Sequence, residues 1–252
     1  ARPRPTDLVP NINCLDDLTV AAADDVCTAG NPELKPYRAD QWEVNLAWYP
    51  NKDTLDSLGY YKKYENSFVI GNVVRSGVNL FQDGVTYPVR QPVNGFGALL
   101  DGIEASAQTA FTFLPAPFDG FGVQGSYTHT EVKADYTAGS RTIKDQLIGL
   151  SKNSFNLVGF YDKGPLSARL SYVWRDKYLS STGSTVQAPT YVAAFGSLDG
   201  QLSVRAADNL TLTLEGINLA GAHQDTYNDS KMRFGEINYY GRTILFGVRA
   251  EF

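Results

Sequence analysis

The sequence predicts an all-β protein in which about nine strands follow one another as an antiparallel meander. From residue 41 onward, apolar and polar residues alternate with a period of two, which is typical of strands with one apolar and one wet face. Short connections rich in turn-forming residues alternate strictly with long connections. Tyr and Phe are abundant and charged residues amount to 19%, a composition that suits such a sheet.

The alternation places each strand in turn. Around residue 45, for example, Trp42, Val44 and Leu46 are separated by single small or polar residues. The clearest patterns predict strands at Asp40–Tyr49, Gly102–Leu114, Leu166–Arg175, Leu198–Arg205, Leu210–Leu219 and Arg242–Phe252. Weaker patterns predict the other three strands at 54–63, 121–131 and 152–161.

The same alternation predicts which side chains share a face near the end of the chain, because a register shift of one residue would reverse both sets. The apolar, outward-facing set is Leu198, Leu202, Val204, Leu210, Leu212, Leu214, Ile244, Phe246, Val248 and Phe252. The polar, inward-facing set is Asp199, Gln201, Arg205, Thr211, Thr213, Glu215, Arg249 and Glu251.

The connections indicate a membrane barrel. The short ones are Pro50–Asp53, Pro115–Gly120, Asp162–Pro165 and Ala206–Asn209, and the long ones are 64–99, 132–151, 177–193 and 220–240. Outer-membrane barrels have short turns at the periplasmic end and long loops outside, and aromatic girdles mark both interfaces. Aromatic residues lie at both ends of the predicted strands. We therefore expect part of a barrel in the outer membrane of a Gram-negative bacterium, with a soluble β protein as the alternative.

Composition excludes other classes of protein. No apolar stretch approaches the roughly 20 residues of a membrane helix. The net charge of −5 provides no basic field, so we expect no nucleic acid partner. Nothing indicates an enzyme, a cofactor or a metal site, because His129 and His223 lack a nucleophile or further ligands at a suitable spacing.

The first 40 residues are less regular and contain Cys14 and Cys27. With no His or third Cys nearby, we favour a disulfide that closes a surface loop over free thiols or a zinc site. Residues 1–40 are predicted to be an extracellular loop, and residues 41–252 the barrel segment.

Four segments in this order resemble the TonB-dependent receptor family: Gly30–Pro36 (GNPELKP) before the strand with Trp42, Ser151–Tyr178, Leu212–Leu219 (LTLEGINL), and Tyr240–Thr243 before the last strand. The resemblance implies the C-terminal part of a 22-stranded barrel. The N-terminal plug, the remaining strands and the segment that contacts TonB would then lie outside this sequence. Gly247, Ala250 and Phe252 resemble the final signal read by the barrel-assembly machinery, although Leu245 departs from that pattern. Outer-membrane lipid is the other implied partner.

The implied activity is uptake of a small-molecule ligand. The expected cargo is an oligosaccharide, with an iron-siderophore as the alternative within the family. A passive porin and a soluble carbohydrate-binding β module are the alternatives from other classes. Loop residues with aromatic faces and hydrogen-bonding groups are the candidate ligand contacts: Tyr87, Asn94, Tyr191, Tyr227, Asn228, Arg233, Tyr239 and Tyr240.

Overall fold

The computed structural model describes residues 2–14, 27–79, 84, 86–138, 141–183 and 188–251. Apart from one helical turn at Pro5–Leu8 (α1) and a 3-10 turn at Phe118–Gly120, the regular structure of these residues is β-strand. No helix in this described part of the chain is long and apolar enough to cross a membrane. The all-β prediction is confirmed.

The strands of the described residues are, in chain order, β1 (Ile12–Cys14), β2 (Cys27–Ala29), β3 (Arg38–Asn51), β4 (Thr54–Val78), β5 (Tyr87–Gly95), β6 (Ala98–Ala110), β7 (Phe121–Lys133), β8 (Asp135–Ala138), β9 (Arg141–Lys144), β10 (Asn153–Lys163), β11 (Leu166–Arg175), β12 (Tyr178–Ser181), β13 (Thr190–Val192), β14 (Phe195–Ala207), β15 (Leu210–Ile217), β16 (His223–Asn228), β17 (Phe234–Tyr239) and β18 (Thr243–Ala250).

Nine of these strands form one continuous wall in the order β3-β4-β6-β7-β10-β11-β14-β15-β18, and each is antiparallel to the next. We call this sheet the wall, the end with the four short connections the short-turn end, and the opposite end the long-loop end. The predicted meander is confirmed. β11 has its predicted bounds, whereas β6 begins and ends four residues earlier than expected.

The long connection predicted at 64–99 is wrong, because β4 is 25 residues long and continues past the wall to pair with β5. Phe68, Val69 and Ile70 are aromatic or β-branched, and such residues favour strands. β5 and β6 pair one after the other with the same edge of β4, and Phe96 and Gly97 lie between them. Gly97 has a φ of 77° there, and its N–H donates to the Glu65 carbonyl at 3.1 Å.

The other long connections also contain strands. β8 and β9 form a hairpin, and a separate four-stranded sheet has the order β12-β13-β16-β17. We call this second sheet the loop sheet, because it joins the two connections, 177–193 and 220–240, that were expected to be loops. Tyr191 pairs with Tyr227 at its centre.

The N-terminal residues are more ordered than a plain loop. β1 and β2 form a hairpin in which Cys14 lies opposite Cys27, and the two sulfur atoms are bonded at 2.01 Å. β2 then runs parallel to β5, with Cys27 opposite Val89, so the hairpin extends the sheet at the long-loop end. Both Cys27 and Val89 are fully buried. The predicted disulfide is confirmed.

The cross-strand register separates an apolar face from a polar face. Leu202 lies opposite Leu214, which lies opposite Phe246, while Gln201 lies opposite Glu215 on the other side of the sheet. Phe246 is 70% exposed although it is a large apolar residue. We call the apolar side the outer face and the polar side the inner face. The predicted division of β14, β15 and β18 is confirmed by this pairing, and Phe252 lies outside the described residues.

A bulge at Asn66 changes which side chains of β4 face the interior, since it adds one residue on that strand alone. Before the bulge, Leu58 is exposed on the outer face. After it, Phe68 and Ile70 are buried and pack with Leu100 from the inner face of β6. The best-buried cluster of the described residues therefore lies at the long-loop end, where it supports the connections above the wall.

Candidate functional site

On the inner face of the wall, polar side chains of neighbouring strands lie opposite one another in rows that we call polar rungs. The Ser57 and Ser106 hydroxyls are 2.7 Å apart on neighbouring strands. The Gln201 amide donates to the Glu215 carboxylate at 3.0 Å. Such contacts satisfy polar groups across neighbouring strands of the sheet. They give the wall a hydrophilic surface that could line a hydrated lumen.

Tyr61 spans one of these rungs. Its hydroxyl lies 2.6 Å from the Thr130 hydroxyl, two strands away. The ring reaches that far because Gly102 lies between them. A Cβ atom at Gly102 would be 2.6 Å from the Tyr61 hydroxyl and closer still to the His129 carbonyl.

A cavity of about 740 Å³ opens above these rungs at the long-loop end. Lys63 and Glu65 line it from the inner face of β4 and form an ion pair with a separation of 2.7 Å. Arg4, Tyr37 and Leu147 from other segments complete its mixed polar and apolar lining. This cavity could not be predicted from a strand that ends at residue 63, because Glu65 and the continuation of β4 were then expected to lie in a loop. The continued alternation of Lys63 and Glu65 is the signal that could have extended it.

The loop sheet brings three predicted ligand residues together. The rings of Tyr191 and Tyr227 stack with centroids 5.4 Å apart and planes 17° apart. Asn228 is the next residue of β16, and its side-chain oxygen accepts a hydrogen bond from the Thr190 hydroxyl at 3.0 Å. Burial raises the pKa of the Tyr227 phenol, and the neighbouring Tyr191 and Asp176 raise it further. Tyr227 is therefore a neutral packing residue at neutral pH.

Three other predicted ligand residues flank the edge strand β17, with Tyr239 and Tyr240 at one end and Arg233 in the turn at the other end. Tyr239 and Tyr240 are 72% and 64% exposed. The Tyr239 ring lies 5.0 Å from the His223 ring, and the Tyr240 hydroxyl donates to the Gln224 side chain at 3.2 Å. Arg233 is exposed and pairs with Asp229 at 3.3 Å. Of the eight candidates, these three are the most accessible for a ligand.

Tyr87 and Asn94 lie apart from the others, on β5. Tyr87 packs beside the disulfide. The Asn94 side chain accepts from the Lys35 N–H at 2.8 Å and donates to the Lys35 carbonyl at 3.0 Å. It also donates to the Ser67 hydroxyl at 3.2 Å. Asn94 thus holds the Gly30–Pro36 segment against the β4–β5 hairpin, and its predicted role as a ligand contact stays a prediction.

The two histidines and the end of the chain provide no further candidate site among the described residues. His223 lies 3.4 Å from the Asp225 carboxylate, but the described residues contain no group of three or more possible metal ligands. Gly247 lies opposite Thr213, whose hydroxyl occupies the space that a Cβ atom would need. Ala250 pairs with Leu210. The role of Gly247, Ala250 and Phe252 as an assembly signal stays a prediction.

Comparison with known families decides the class of the protein. The family described as "TonB dependent receptor-like, beta-barrel" matches residues 2–219 of the 252-residue chain. The chain belongs to this family. As a TonB-dependent receptor barrel it is an outer-membrane protein, and the family consists of transporters and not of enzymes. No curated protein matches the chain.

Solved structures agree on the fold of this receptor segment. The siderophore receptor PirA of Acinetobacter baumannii is 14% identical, with a TM-score of 0.63 over 90% of this chain and 34% of its own. A variant of the ferric enterobactin receptor PfeA of Pseudomonas aeruginosa is 15% identical, with a TM-score of 0.63 over 100% of this chain and 36% of its own. The ferric-catecholate receptor Fiu of E. coli K12 is 18% identical, with a TM-score of 0.56 over 88% of this chain and 29% of its own. The TonB-dependent receptor segment therefore spans about a third of the length of these receptors.

Proposed function

We propose that this chain is the C-terminal part of the barrel of a TonB-dependent receptor that actively takes up a scarce nutrient. The observation that supports this is a nine-stranded wall with an exposed apolar face and a polar inner face, in a chain of that family. Such a wall fits a barrel with lipid outside and a hydrophilic interior. The plug, the other strands and the segment that contacts TonB belong to the rest of the receptor.

The orientation follows from the connections. Short turns of outer-membrane barrels face the periplasm and long loops face outward. We therefore place the loop sheet, the β4–β5 hairpin and the disulfide hairpin of residues 1–40 on the extracellular side. The cavity beside Lys63 would then open toward incoming cargo.

We propose a ferric siderophore as the cargo class. Its support is that the structural neighbours include receptors described by a siderophore, ferric enterobactin or a ferric catecholate. The oligosaccharide expected from the sequence has no comparable support. It remains the second candidate, because Tyr239 and Tyr240 could stack on a sugar ring.

Transport by the full-length receptor tests the proposal. Cells that express the receptor and carry TonB should accumulate iron-55 from ferric siderophores, and cells without TonB should not. Radiolabelled oligosaccharides serve as the competing cargo in the same cells. Equal uptake with and without TonB would contradict active transport and favour a passive porin. TonB-dependent uptake of oligosaccharide alone would keep the receptor and reject the siderophore.

A further inference from the structure

We propose that the cavity beside Lys63 selects cargo that has no net charge, which among ferric siderophores means hydroxamate complexes and not catecholate complexes. This inference rests on the function proposed above, in which the cavity opens toward incoming cargo. A ferric ion bound by three catecholate dianions is a trianion, whereas three hydroxamate monoanions give a neutral complex. The charge of the cavity therefore decides which of these complexes it can accept.

The charged groups that line the cavity are balanced. The lining contains two cations, Arg4 and Lys63, and two acids, Asp7 and Glu65, and its other members are apolar or uncharged residues. An adjoining cavity shares the Lys63–Glu65 pair and adds one arginine and one aspartate, so the balance is kept there as well. The lining therefore has no surplus of positive charge with which to select an anion.

Lys63 is not available to an anionic cargo, because Glu65 already neutralises it. Their charged atoms are 2.7 Å apart, and the two side chains are 35% and 17% exposed. They lie two residues apart on β4, so they face the same side of the strand. In such a partly buried place, opposite charges interact more strongly than at an open surface. An anion would have to compete with Glu65 for the ammonium group of Lys63.

The other two charges are held at the cavity by backbone contacts. The Asp7 N–H donates to the Arg4 carbonyl at 2.9 Å, and the Asn31 N–H donates to the Asp7 carbonyl at 2.7 Å. The Asn31 side chain donates to the carbonyl of Pro92, another lining residue, at 3.0 Å. Asn31 thus ties the N-terminal segment to β5. The cation and the acid of this segment therefore come to the cavity together.

Apolar side chains form much of the remaining cavity surface. Phe68, Ile70 and Leu100 belong to the buried cluster of the long-loop end, and Leu147 and Leu150 pack against that cluster. Such a surface cannot replace the water that an anion loses on binding, and burial of an uncompensated charge is unfavourable. A neutral complex avoids this loss.

Receptors described by ferric enterobactin or a ferric catecholate are among the structural neighbours, but they do not decide the charge of the cargo. They are 15% and 18% identical to this chain, so they show the same fold and not the same cavity residues. The charged residues of this lining are therefore the better guide to the cargo.

Cargo binding to the purified full-length receptor tests the inference. The probes are the ferric complexes of a trihydroxamate and a tricatecholate built on the same scaffold, together with a neutral oligosaccharide and its uronic acid counterpart. Isothermal titration calorimetry gives the Kd of each probe. The neutral member of a pair should bind at least about tenfold more tightly than the anionic member. Binding of the neutral member should also be insensitive to salt, because no charged groups are brought together.

Substitutions at the ion pair separate the charge of the cavity from its shape. Glu65→Gln frees Lys63, so it should tighten binding of the trianionic complex about tenfold and leave the neutral complex unchanged. The double substitution Lys63→Gln with Glu65→Gln restores the balance and should restore the original preference, which separates a change of charge from a change of fold. Glu131→Gln is the matched control, because it frees Lys152 from an ion pair of 3.0 Å that is not part of this cavity.

The inference fails if the unchanged receptor binds the trianionic complex as tightly as the neutral one. It also fails if Glu131→Gln has the same effect as Glu65→Gln, since the total charge of the receptor would then set the preference. Failure of the proposed function looks different. Binding of the neutral oligosaccharide and of neither ferric complex would reject the siderophore but support the preference for uncharged cargo.

Discussion

At the scale of single residues, close contacts on the inner face depend on the absence of a side chain. Gly102 lets the Tyr61 ring cross one strand and bring its hydroxyl within 2.6 Å of the Thr130 hydroxyl. Gly159 faces the other way, on the outer face, where an added Cβ would meet nothing within 4 Å. Both glycines lie within central strands of the wall, but they face opposite sides and differ in their tolerance for a methyl group.

Gly102→Ala should therefore destabilise the barrel and Gly159→Ala should not. The added methyl group at Gly102 must displace the Tyr61 ring, and overpacking of this kind costs about 1–3 kcal/mol. The measurement is the temperature at which the full-length barrel loses its fast-migrating form in detergent gel electrophoresis. Equal melting of both variants would show that the Tyr61 contact contributes nothing to the fold.

Asn94 is a second residue whose contacts assign it a structural task. Its side chain bonds both backbone groups of Lys35, so Asn94→Ala should loosen the Gly30–Pro36 segment. Loss of such hydrogen bonds costs about 1–3 kcal/mol. We expect protease cleavage of this segment on intact cells to accelerate about tenfold, since cleavage follows local opening. Asn13→Ala, on exposed β1, is the control, and unchanged cleavage in Asn94→Ala would contradict the assignment.

At the scale of elements, the disulfide hairpin joins two parts of the chain that the alternation pattern does not connect. β2 pairs in parallel with β5, some 60 residues later, and Cys27 is buried against Val89. Parallel pairing at such a distance has no local sequence signal, because β1 and β2 have only three residues each to show a period. The cysteines were the sole clue to this element.

Replacing Cys14 and Cys27 together by Ser should weaken this hairpin but leave the wall intact. A disulfide that closes a short loop contributes about 2–4 kcal/mol. Hydrogen exchange of the full-length receptor should become faster at Thr28 and Arg90, which are paired across β2 and β5. Exchange at Leu202 in β14 should stay the same, and faster exchange there would mean that the disulfide supports the barrel itself.

At the scale of the whole molecule, the sequence predicted the wall well and its upper end poorly. Six of the nine wall strands have a clear alternation of polarity, so their existence and faces could be predicted from the period, whereas β4, β7 and β10 have only weak patterns. The loop sheet could not be predicted, since β12 and β13 are only four and three residues long. β13 in turn pairs with β16, where Thr190 and Asn228 are 38 residues apart in the chain. The bulge at Asn66 could not be predicted either. It reverses which side chains of β4 face inward, but no residue type at this position indicates a bulge.

The strongest test of the whole molecule compares neighbouring positions on opposite faces. Leu212 lies on the outer face opposite Val204 and Val248, and Thr213 lies on the inner face opposite Ser203 and Gly247. An Arg that faces lipid at the midplane costs about 2–4 kcal/mol, whereas an Arg in the lumen meets water.

Leu212→Arg should therefore reduce the yield of full-length receptor in the outer-membrane fraction much more than Thr213→Arg. Val248→Arg should behave like Leu212→Arg, because it extends the same apolar row on the next strand. Leu212 and Thr213 are matched positions, since both lie in β15 and receive the same charge. If all three variants assembled equally well, the apolar face of the wall would not be the face that meets lipid.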